Sequence, residues 1–189
     1  MRICVFGASG TQLDDIYIKE TEALGKTLAQ RGHSLIFGGG KNGLMGAAAR
    51  GFTAGNGKIV GVAPSFFKDA GVLYGYCDEF VWPDSMRDRK KYMEDNADAF
   101  IVVPGGIGTY EEFFEVLTLK QLARMSKPIA VFNINGYYDP LYRLIRENTE
   151  SGFIRAQTTE LFRMCATVEE AVDCVENDVY DIGKIRFAD

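Results

Sequence analysis

The sequence has little of what marks nucleic-acid-binding and membrane proteins. Acidic residues outnumber basic ones by 26 to 21, which gives a formal net charge of −5. No basic run supplies the electrostatic footprint that nucleic acid or an anionic membrane surface would need. No apolar stretch approaches the length of a membrane span, and the N-terminus shows no charged leader ahead of an apolar run. We therefore expect a cytoplasmic protein that binds neither nucleic acid nor membrane.

Cysteine and histidine are also scarce. Cys4, Cys77, Cys165 and Cys174 are scattered and form no C-x-x-C pair, so the sequence predicts neither a zinc motif nor a disulfide framework. The single histidine, His33, stands just before a predicted strand, where a structural role is the simplest interpretation. No lysine stands in a recognisable Schiff-base context for pyridoxal chemistry. We expect reduced thiols, no metal site and no cofactor.

What the sequence does contain is a regular alternation of short apolar runs and helical segments. The runs are apolar almost throughout, as expected for parallel strands that helices cover on both faces. Strands are predicted at residues 2–6, 34–37, 58–62, 99–103 and 128–132. This βαβ rhythm predicts a doubly wound, Rossmann-like α/β sheet flanked by helices, in a single domain over residues 1–189. Residues 64–83 are predicted to form a long irregular excursion.

Three glycine clusters each follow a predicted strand. They begin at Gly7, Gly38 and Gly105. Ligands of such sheets bind beyond the carboxyl ends of the strands, so the three loops are expected to face one crevice. The second cluster spells G-x-G-x-x-G, but the acid that should follow to bind a ribose is missing, which argues against a dinucleotide site. From this cluster we place Gly39 and Gly40 in the predicted substrate-binding site.

The stretch VVPGGIGTYEEFFEV, residues 102–116, puts a glycine-rich turn directly ahead of paired glutamates. A helix that begins near Thr109 directs unsatisfied N–H groups and a partial positive charge into this turn, which suits a phosphate. Two interpretations of Glu112 stay open. Its spacing from Thr109 matches a capping box, in which Glu112 only reaches back to its own helix terminus. Helical periodicity instead puts Glu112 on the inward side and Glu115 outward, where Glu112 can serve a ligand.

A second constellation lies upstream in PDSMRDRKKYMEDN, residues 83–96. The predicted helix here has an apolar stripe that includes Met86 and Met93, and Arg89 falls between them at helical spacing. Its guanidinium therefore lies on or beside the buried face. Arg89 can simply extend past the stripe or pair internally. A ligand role is favoured, because the helix leads into the strand that precedes the glycine-rich turn.

Two of these segments carry a family resemblance. PGGIGTYEE resembles the PGGxGTxxE signature, and MRDRK the MxxRK signature, of the LOG family of cytokinin riboside 5'-monophosphate phosphoribohydrolases, often described as lysine decarboxylases. The segments LIFGGGKNGLMGAAA, GVAP and NINGYYDPL also resemble family segments, in the same order. The resemblance implies that Arg89 and Glu112 are the catalytic pair. The nucleotide site that it implies is lined by Lys90, Gly105, Gly106, Gly108, Thr109, Glu111 and Thr118. It also implies a homodimer with the site close to the subunit contact.

The reaction implied by the resemblance is hydrolysis of the N-glycosidic bond of an adenosine 5'-monophosphate, with or without an N6 substituent. The glycine-rich turn and Arg89 would hold the phosphate, while a carboxylate would stabilise the oxocarbenium-like sugar and activate water. Two positions depart from the family pattern: Arg87 replaces a histidine usual in plant members, and the first loop reads GASG instead of carrying a cysteine and paired serines. The preferred base therefore stays open. The alternative function is a nucleotide or molybdenum-cofactor carrier without turnover.

Overall fold

The chain folds into a fully parallel sheet with helices on both faces. The computed structural model describes residues 1–178. Its strands are Arg2–Phe6 (β1), Ser34–Phe37 (β2), Ile59–Val62 (β3), Glu79–Val81 (β4), Ala99–Val102 (β5), Ile129–Phe132 (β6) and Arg163–Cys165 (β7). Its α-helices are Asp15–Gln30 (α1), Gly43–Ala54 (α2), Met86–Asn96 (α3), Ile107–Gln121 (α4), Asp139–Glu150 (α5) and Val168–Asn177 (α6). The strand order is β4-β3-β2-β1-β5-β6-β7, which confirms the predicted doubly wound α/β class. None of the helices in the described part of the chain combines the length and apolarity that a membrane crossing requires.

Burial of the sheet on both faces explains why its strands are apolar throughout. In β1, Ile3 and Val5 enter a core cluster with residues of α1, α2 and α6. Cys4 and Phe6, on the opposite face, join a second cluster with residues of α3, α4 and α5. Successive side chains of a strand point to opposite faces, so each position of β1 needs an apolar residue.

The two edge strands were not predicted. β4 lies at the end of residues 64–83, which the sequence analysis treated as irregular throughout, and β7 lies at the opposite edge of the sheet. Each has only three residues, and Glu79 in β4 is exposed. An edge strand packs along one side only and can be short and partly polar, so no continuous apolar run marks it.

The first two helices approach each other closely at glycines. A Cβ on Gly25 of α1 would lie 3.2 Å from the Cα of Gly51 in α2, which is tight for such a contact. A Cβ on Gly51 would in turn overlap the carbonyl oxygen of Glu22. The backbones of the two helices are therefore in direct contact, and the loops that precede them are held side by side.

The direction of the chain reverses at the centre of the sheet, and this reversal creates the crevice. From β1 the chain continues to β2 on one side, while β5 pairs with β1 on the other. Such a switch point opens a crevice beyond the carboxyl ends of the strands. The loops after β1 and β2 meet here, since the N–H of Leu44 donates to the Ala8 carbonyl at 2.8 Å. Gly43 has a φ of 58°, and a Cβ on it would overlap the same carbonyl.

His33 lies at the opposite end of the sheet, just before β2. Its Nε2 is 2.8 Å from the Glu176 carboxylate near the end of α6, and Arg31 Nη1 reaches the same carboxylate at 2.7 Å. The hydrogen bond with His33, together with the charge of Arg31, lowers the pKa of Glu176. These contacts tie α6 to the start of β2.

We expect Glu176→Gln to lower stability at pH 7 by about 0.5–1 kcal/mol, because the amide loses its charge interactions with His33 and Arg31. A carboxyl with a lowered folded-state pKa stabilises the fold above its unfolded pKa of about 4.3, and the contribution is lost as the pH falls through the lowered value. The deficit should therefore shrink on acidification below pH of about 4. Thermal unfolding across this range measures it.

The matched control is Asp15→Asn. The carboxylate of Asp15 is 3.4 Å from Lys19, and both side chains are more than 70% exposed, so this change should cost no more than about 0.5 kcal/mol at any pH. A Glu176→Gln deficit that stays constant down to acid pH would contradict the charge-based explanation.

Candidate functional site

A cavity of about 720 Å³ lies in the crevice. Five parts of the chain form its wall: the loop after β1, the loop after β2 with the first turn of α2, the excursion before β4, α3, and the start of α4. The lining residues are 7–10, Gly38, Gly40, Asn42, Met45, Phe67, Val72, Leu73, Met86, Arg89, 106–109, Glu111 and Glu112. Most of the area is apolar, and the charged side chains are gathered at α3 and α4.

The N-terminus of α4 opens into this cavity. The helix begins at Ile107, two residues before the predicted start, with Gly106 at the N-cap position. The N–H groups of a first helical turn have no acceptor within the helix and carry partial positive charge. A Cβ on Gly106 or Gly108 would meet no atom within 4 Å, so the approach to these donors is open. This end of the cavity is suited to an anion such as a phosphate.

The capping-box interpretation of Glu112 is wrong. Thr109 is the third residue of α4 rather than its cap, and it is buried. The N-cap position makes no side-chain hydrogen bond. Glu112 lies in the second turn, where its carboxylate bonds to another helix.

Arg89 and Glu112 form a buried ion pair between α3 and α4. The Nη1 of Arg89 donates to Glu112 Oε1 at 3.0 Å, and its Nε donates to the carbonyl oxygen of Val62 at 3.2 Å. The two side chains are only 9% and 12% exposed. Gly38, at the end of β2, makes room for the guanidinium, since a Cβ there would overlap Arg89 Nη2.

The electrostatics of Glu112 reflect two opposing causes. Burial raises the pKa of its carboxyl, while the charge and hydrogen bond of Arg89 lower it; the net direction is upward. A buried carboxylate that keeps one cationic partner and faces a cavity is typical of a catalytic acid or base.

Lys90 follows Arg89 in the sequence but points elsewhere. Its Nζ contacts Glu111, and lies 2.7 Å from Glu115 Oε2. Burial lowers the pKa of Lys90, but its bonds to the two glutamates outweigh this and raise it. Burial, followed by the charge of Glu115, raises the pKa of nearby Glu94 to about 7. An ammonium thus lies among these carboxylates, and no group of side chains within residues 1–178 is suited to hold a metal ion.

The structure brings together most, but not all, of the predicted site residues. Those that line the cavity are Gly40, Arg89, Gly106, Gly108, Thr109, Glu111 and Glu112. Gly39, Lys90, Gly105 and Thr118 are not part of the lining formed by the described residues. Thr118 is exposed on α4. Gly39 has a φ of 76° and packs against Phe80, from which a Cβ would lie 2.8 Å away.

Several cavity residues were missed by the sequence reasoning. Asn42 and Met45 follow the second glycine cluster, and Phe67, Val72 and Leu73 come from the excursion. Asn42 and Met45 could have been predicted as cavity residues from their positions shortly after β2, because the loop that follows this strand was expected at the crevice. Nothing in the pattern of the excursion distinguishes Phe67 from Phe66, which is 63% exposed.

Several proteins have sequences similar to this one over most of its length. A sequence profile of the family described as "Possible lysine decarboxylase" matches residues 45–175. The cytokinin riboside 5'-monophosphate phosphoribohydrolase LOG of Oryza sativa subsp. japonica is 35% identical over 186 residues, which cover 97% of this chain and 77% of the rice protein. The chain belongs to the LOG family. LOG3 of Arabidopsis thaliana, which bears the same enzyme name, is 34% identical over 93% of this chain and 81% of its own.

The fold of this LOG-family protein is shared with proteins that carry a different name. The molybdenum cofactor binding protein of Rippkaea orientalis superposes with a TM-score of 0.71 at 22% identity, covering 91% of this chain and 93% of the other. The molybdenum cofactor carrier protein of Chlamydomonas reinhardtii gives a TM-score of 0.70 at 20% identity, covering 93% and 95%. At these identities the likeness shows the fold alone.

We expect Gly38→Ala to destabilise the LOG-family protein by about 1–3 kcal/mol, because the new methyl group overlaps the buried guanidinium of Arg89 and forces it to move. Chemical denaturation measures the loss. Gly75→Ala is the control, since a Cβ there meets no atom within 4 Å; it should change stability by no more than about 0.5 kcal/mol. Equal stability of the two variants would show that Gly38 does not make room for Arg89.

Proposed function

We propose that this protein hydrolyses the N-glycosidic bond of a nucleoside 5'-monophosphate, releasing the free base and ribose 5-phosphate. The preferred substrate in this proposal is AMP or AMP with an apolar N6 substituent. The observation that carries the proposal is the buried pair of Arg89 and Glu112, which lies beside an open helix N-terminus in one cavity. The names of the LOG-family relatives support the same activity.

The two ends of a ribose phosphate match two features of α4. The first-turn N–H groups near Gly106 and Gly108 suit the phosphate. Glu112 is five residues beyond Ile107 in the same helix, a rise of about 7.5 Å. A sugar whose phosphate lies at the helix terminus can therefore place its anomeric carbon near the carboxylate. An anion-binding turn and an acid then act on opposite ends of one ligand.

The chemistry assigned to Glu112 is that of a carboxylate in glycoside hydrolysis. As the bond between the base and C1′ breaks, positive charge develops on the sugar, and the nearby carboxylate stabilises it. The water oxygen forms the new bond to C1′, and the carboxylate accepts a proton from that water. The departing base takes the electron pair of the broken bond and a proton from solvent, and the carboxylate returns its proton to solvent, so that one water is consumed and Glu112 is regenerated.

Arg89 supports this role by favouring the ionised form of Glu112. Burial alone favours the protonated carboxyl, which neither stabilises the sugar cation nor accepts a proton. The guanidinium opposes this effect, and its bonds to Val62 and Glu112 fix both partners in place. A carrier that holds only an anion gains nothing from a carboxylate beside its phosphate site, which favours the enzyme over the carrier.

The remaining wall suits the base. Met45, Phe67, Val72, Leu73 and Met86 give it an apolar surface, which can cover a planar heterocycle or an aliphatic substituent on it. In the proposed arrangement, the charged groups of α3 and α4 contact the ribose phosphate, and the apolar side chains of the excursion, α2 and α3 contact the base.

The substrate prediction is that AMP or N6-prenylated AMP is cleaved with a kcat/KM at least about a hundredfold above that of the matching nucleoside, because the phosphate contacts of α4 are lost without a phosphate. Release of free base from a panel of nucleosides and nucleoside monophosphates measures this ratio. Equal turnover of nucleoside and nucleotide would show that the protein does not recognise the phosphate. Binding of nucleotides without any base release would support the carrier instead.

The catalytic prediction is that Glu112→Gln lowers kcat by at least about a hundredfold in a protein that still folds, with a lower thermal midpoint because buried Arg89 loses its charged partner. The amide keeps the shape of the side chain and can still accept from Arg89, but it has no charge to stabilise the sugar cation. Glu115→Gln is the matched control on the same helix, because Glu115 faces Lys90 outside the cavity. A folded Glu112→Gln variant that is as active as Glu115→Gln would contradict the catalytic role of Glu112.

A further inference from the structure

Two tyrosine hydroxyls bind the main chain of the glycine-rich turn from behind. Tyr137 donates to the carbonyl oxygen of Gly105 at 2.7 Å, and Tyr138 donates to that of Val103 at 2.8 Å. Both tyrosines follow β6 and a short 3₁₀ turn, and the Asn133 side chain accepts from the Tyr138 N–H at 2.6 Å. Neither tyrosine belongs to the lining of the cavity. They act on the turn, rather than on a ligand.

The contact of Tyr137 determines the orientation of one peptide plane. The carbonyl of Gly105 and the N–H of Gly106 belong to the same peptide unit, which is planar and trans, as are all peptide bonds of the described residues. In a trans unit the two groups point in opposite directions. A hydroxyl that holds the Gly105 carbonyl on the outer side therefore turns the Gly106 N–H to the other side, toward the cavity that Gly106 lines.

Tyr138 holds the turn without aiming a donor at the cavity. The carbonyl of Val103 belongs to the peptide unit of Pro104, which has no N–H. The next unit is also held, because the Pro104 carbonyl accepts from the Ala8 N–H at 3.0 Å, and Gly105 is not part of the cavity lining formed by the described residues. Gly106 thus supplies the first N–H of the turn that is directed into the cavity.

The surroundings of Tyr137 keep its hydroxyl in a donating state. Burial and a hydrogen bond with Tyr110 raise the pKa of Tyr137 to about 12. Its ring packs edge-on against Tyr17 at 5.9 Å and against Tyr138 at 4.9 Å, measured between ring centroids. The hydroxyl is therefore protonated at any physiological pH, and two neighbouring rings hold the ring that carries it.

We propose that Tyr137 is a positioning residue for phosphate recognition, whose hydroxyl holds the Gly105 carbonyl and so directs the Gly106 N–H at the phosphate of the substrate. The proposal rests on the proposed function in one respect only, namely that the ligand carries a phosphate monoester. The proposal assigns different roles to two adjacent tyrosines that make similar hydrogen bonds. Tyr137 directs a donor into the cavity, and Tyr138 holds the turn in place.

Binding of ribose 5-phosphate, measured by calorimetry, tests the proposal on the full-length protein. Tyr137→Phe removes only the hydroxyl, and we expect it to weaken binding about tenfold, the usual scale of one well-aligned hydrogen bond. In steady-state assays with AMP, KM should rise by a similar factor while kcat changes less than threefold, and adenosine turnover should be unaffected. The thermal midpoint should fall by only a few degrees.

Tyr138→Phe is the matched control. It leaves a fully buried carbonyl without its donor, so we expect a larger fall in the thermal midpoint, with ribose 5-phosphate affinity within twofold of the wild type. Equal losses of affinity in the two variants, or unchanged affinity in Tyr137→Phe, would overturn the proposal. If Tyr137→Phe does not fold, the Gly106 amide resonance of the wild-type protein decides: ribose 5-phosphate should shift it, and an unshifted resonance on saturation would overturn the proposal.

Failure of the proposed function gives a different result. A wild-type protein that binds ribose 5-phosphate but releases no base from any nucleoside monophosphate would refute the hydrolase and still permit the test of Tyr137. A wild-type protein that does not bind ribose 5-phosphate would refute the role of Tyr137, since there would be no phosphate to recognise.

Discussion

The buried ion pair between Arg89 and Glu112 is the interaction on which the arrangement of this site depends. Two charges removed from water are tolerated only with close partners and fixed geometry. That requirement explains the absence of a side chain at Gly38, where the guanidinium lies, the use of the Val62 carbonyl as an acceptor, and the approach of α3 to α4. The apolar core beneath holds the two helices, and the pair determines how their ends face the cavity.

The central part of the fold could be predicted from the sequence because its strands are buried on both faces. Strands 2–6 and 34–37 match the observed bounds, and the other three differ by one residue at an end. The edge strands were not predicted, because they are partly exposed and their sequences contain no continuous apolar run. The capping box at Thr109 was misleading for a different reason: the helix begins two residues earlier, with Gly106 at the N-cap, and Glu112 bonds to Arg89 of another helix, neither of which local spacing reveals.

The site was predicted in part. Helical periodicity was sufficient to predict that the side chains of Arg89 and Glu112 point inward. The predicted sheet topology was sufficient to place their helices at one crevice. Neighbouring residues of a helix point about 100° apart, so Lys90 faces Glu111 and Glu115 instead of the cavity. Gly105 is small because Thr109 packs against it, and the roles of the tyrosine hydroxyls depend on contacts between segments that are 32 and 35 residues apart. Contacts between such distant segments cannot be predicted from the local sequence pattern.

The close contact between α1 and α2 has a consequence for how the specificity of this cavity can change. The loops after β1 and β2 are fixed by backbone contacts at Gly25, Gly51 and Gly43, where any side chain would collide with main chain. That wall therefore has few viable sequence variants. The opposite wall, around Phe67 and Leu73, belongs to the excursion. Main-chain hydrogen bonds join its residues 72 and 74 to the loop after β2, whereas near Phe67 the main-chain bonds are local and Lys68 lies over the ring of Trp82 at 4.5 Å. Changes in the shape of the cavity are therefore easiest in the part of the excursion around Phe67, where substitution disturbs no main-chain contact with the loop after β2.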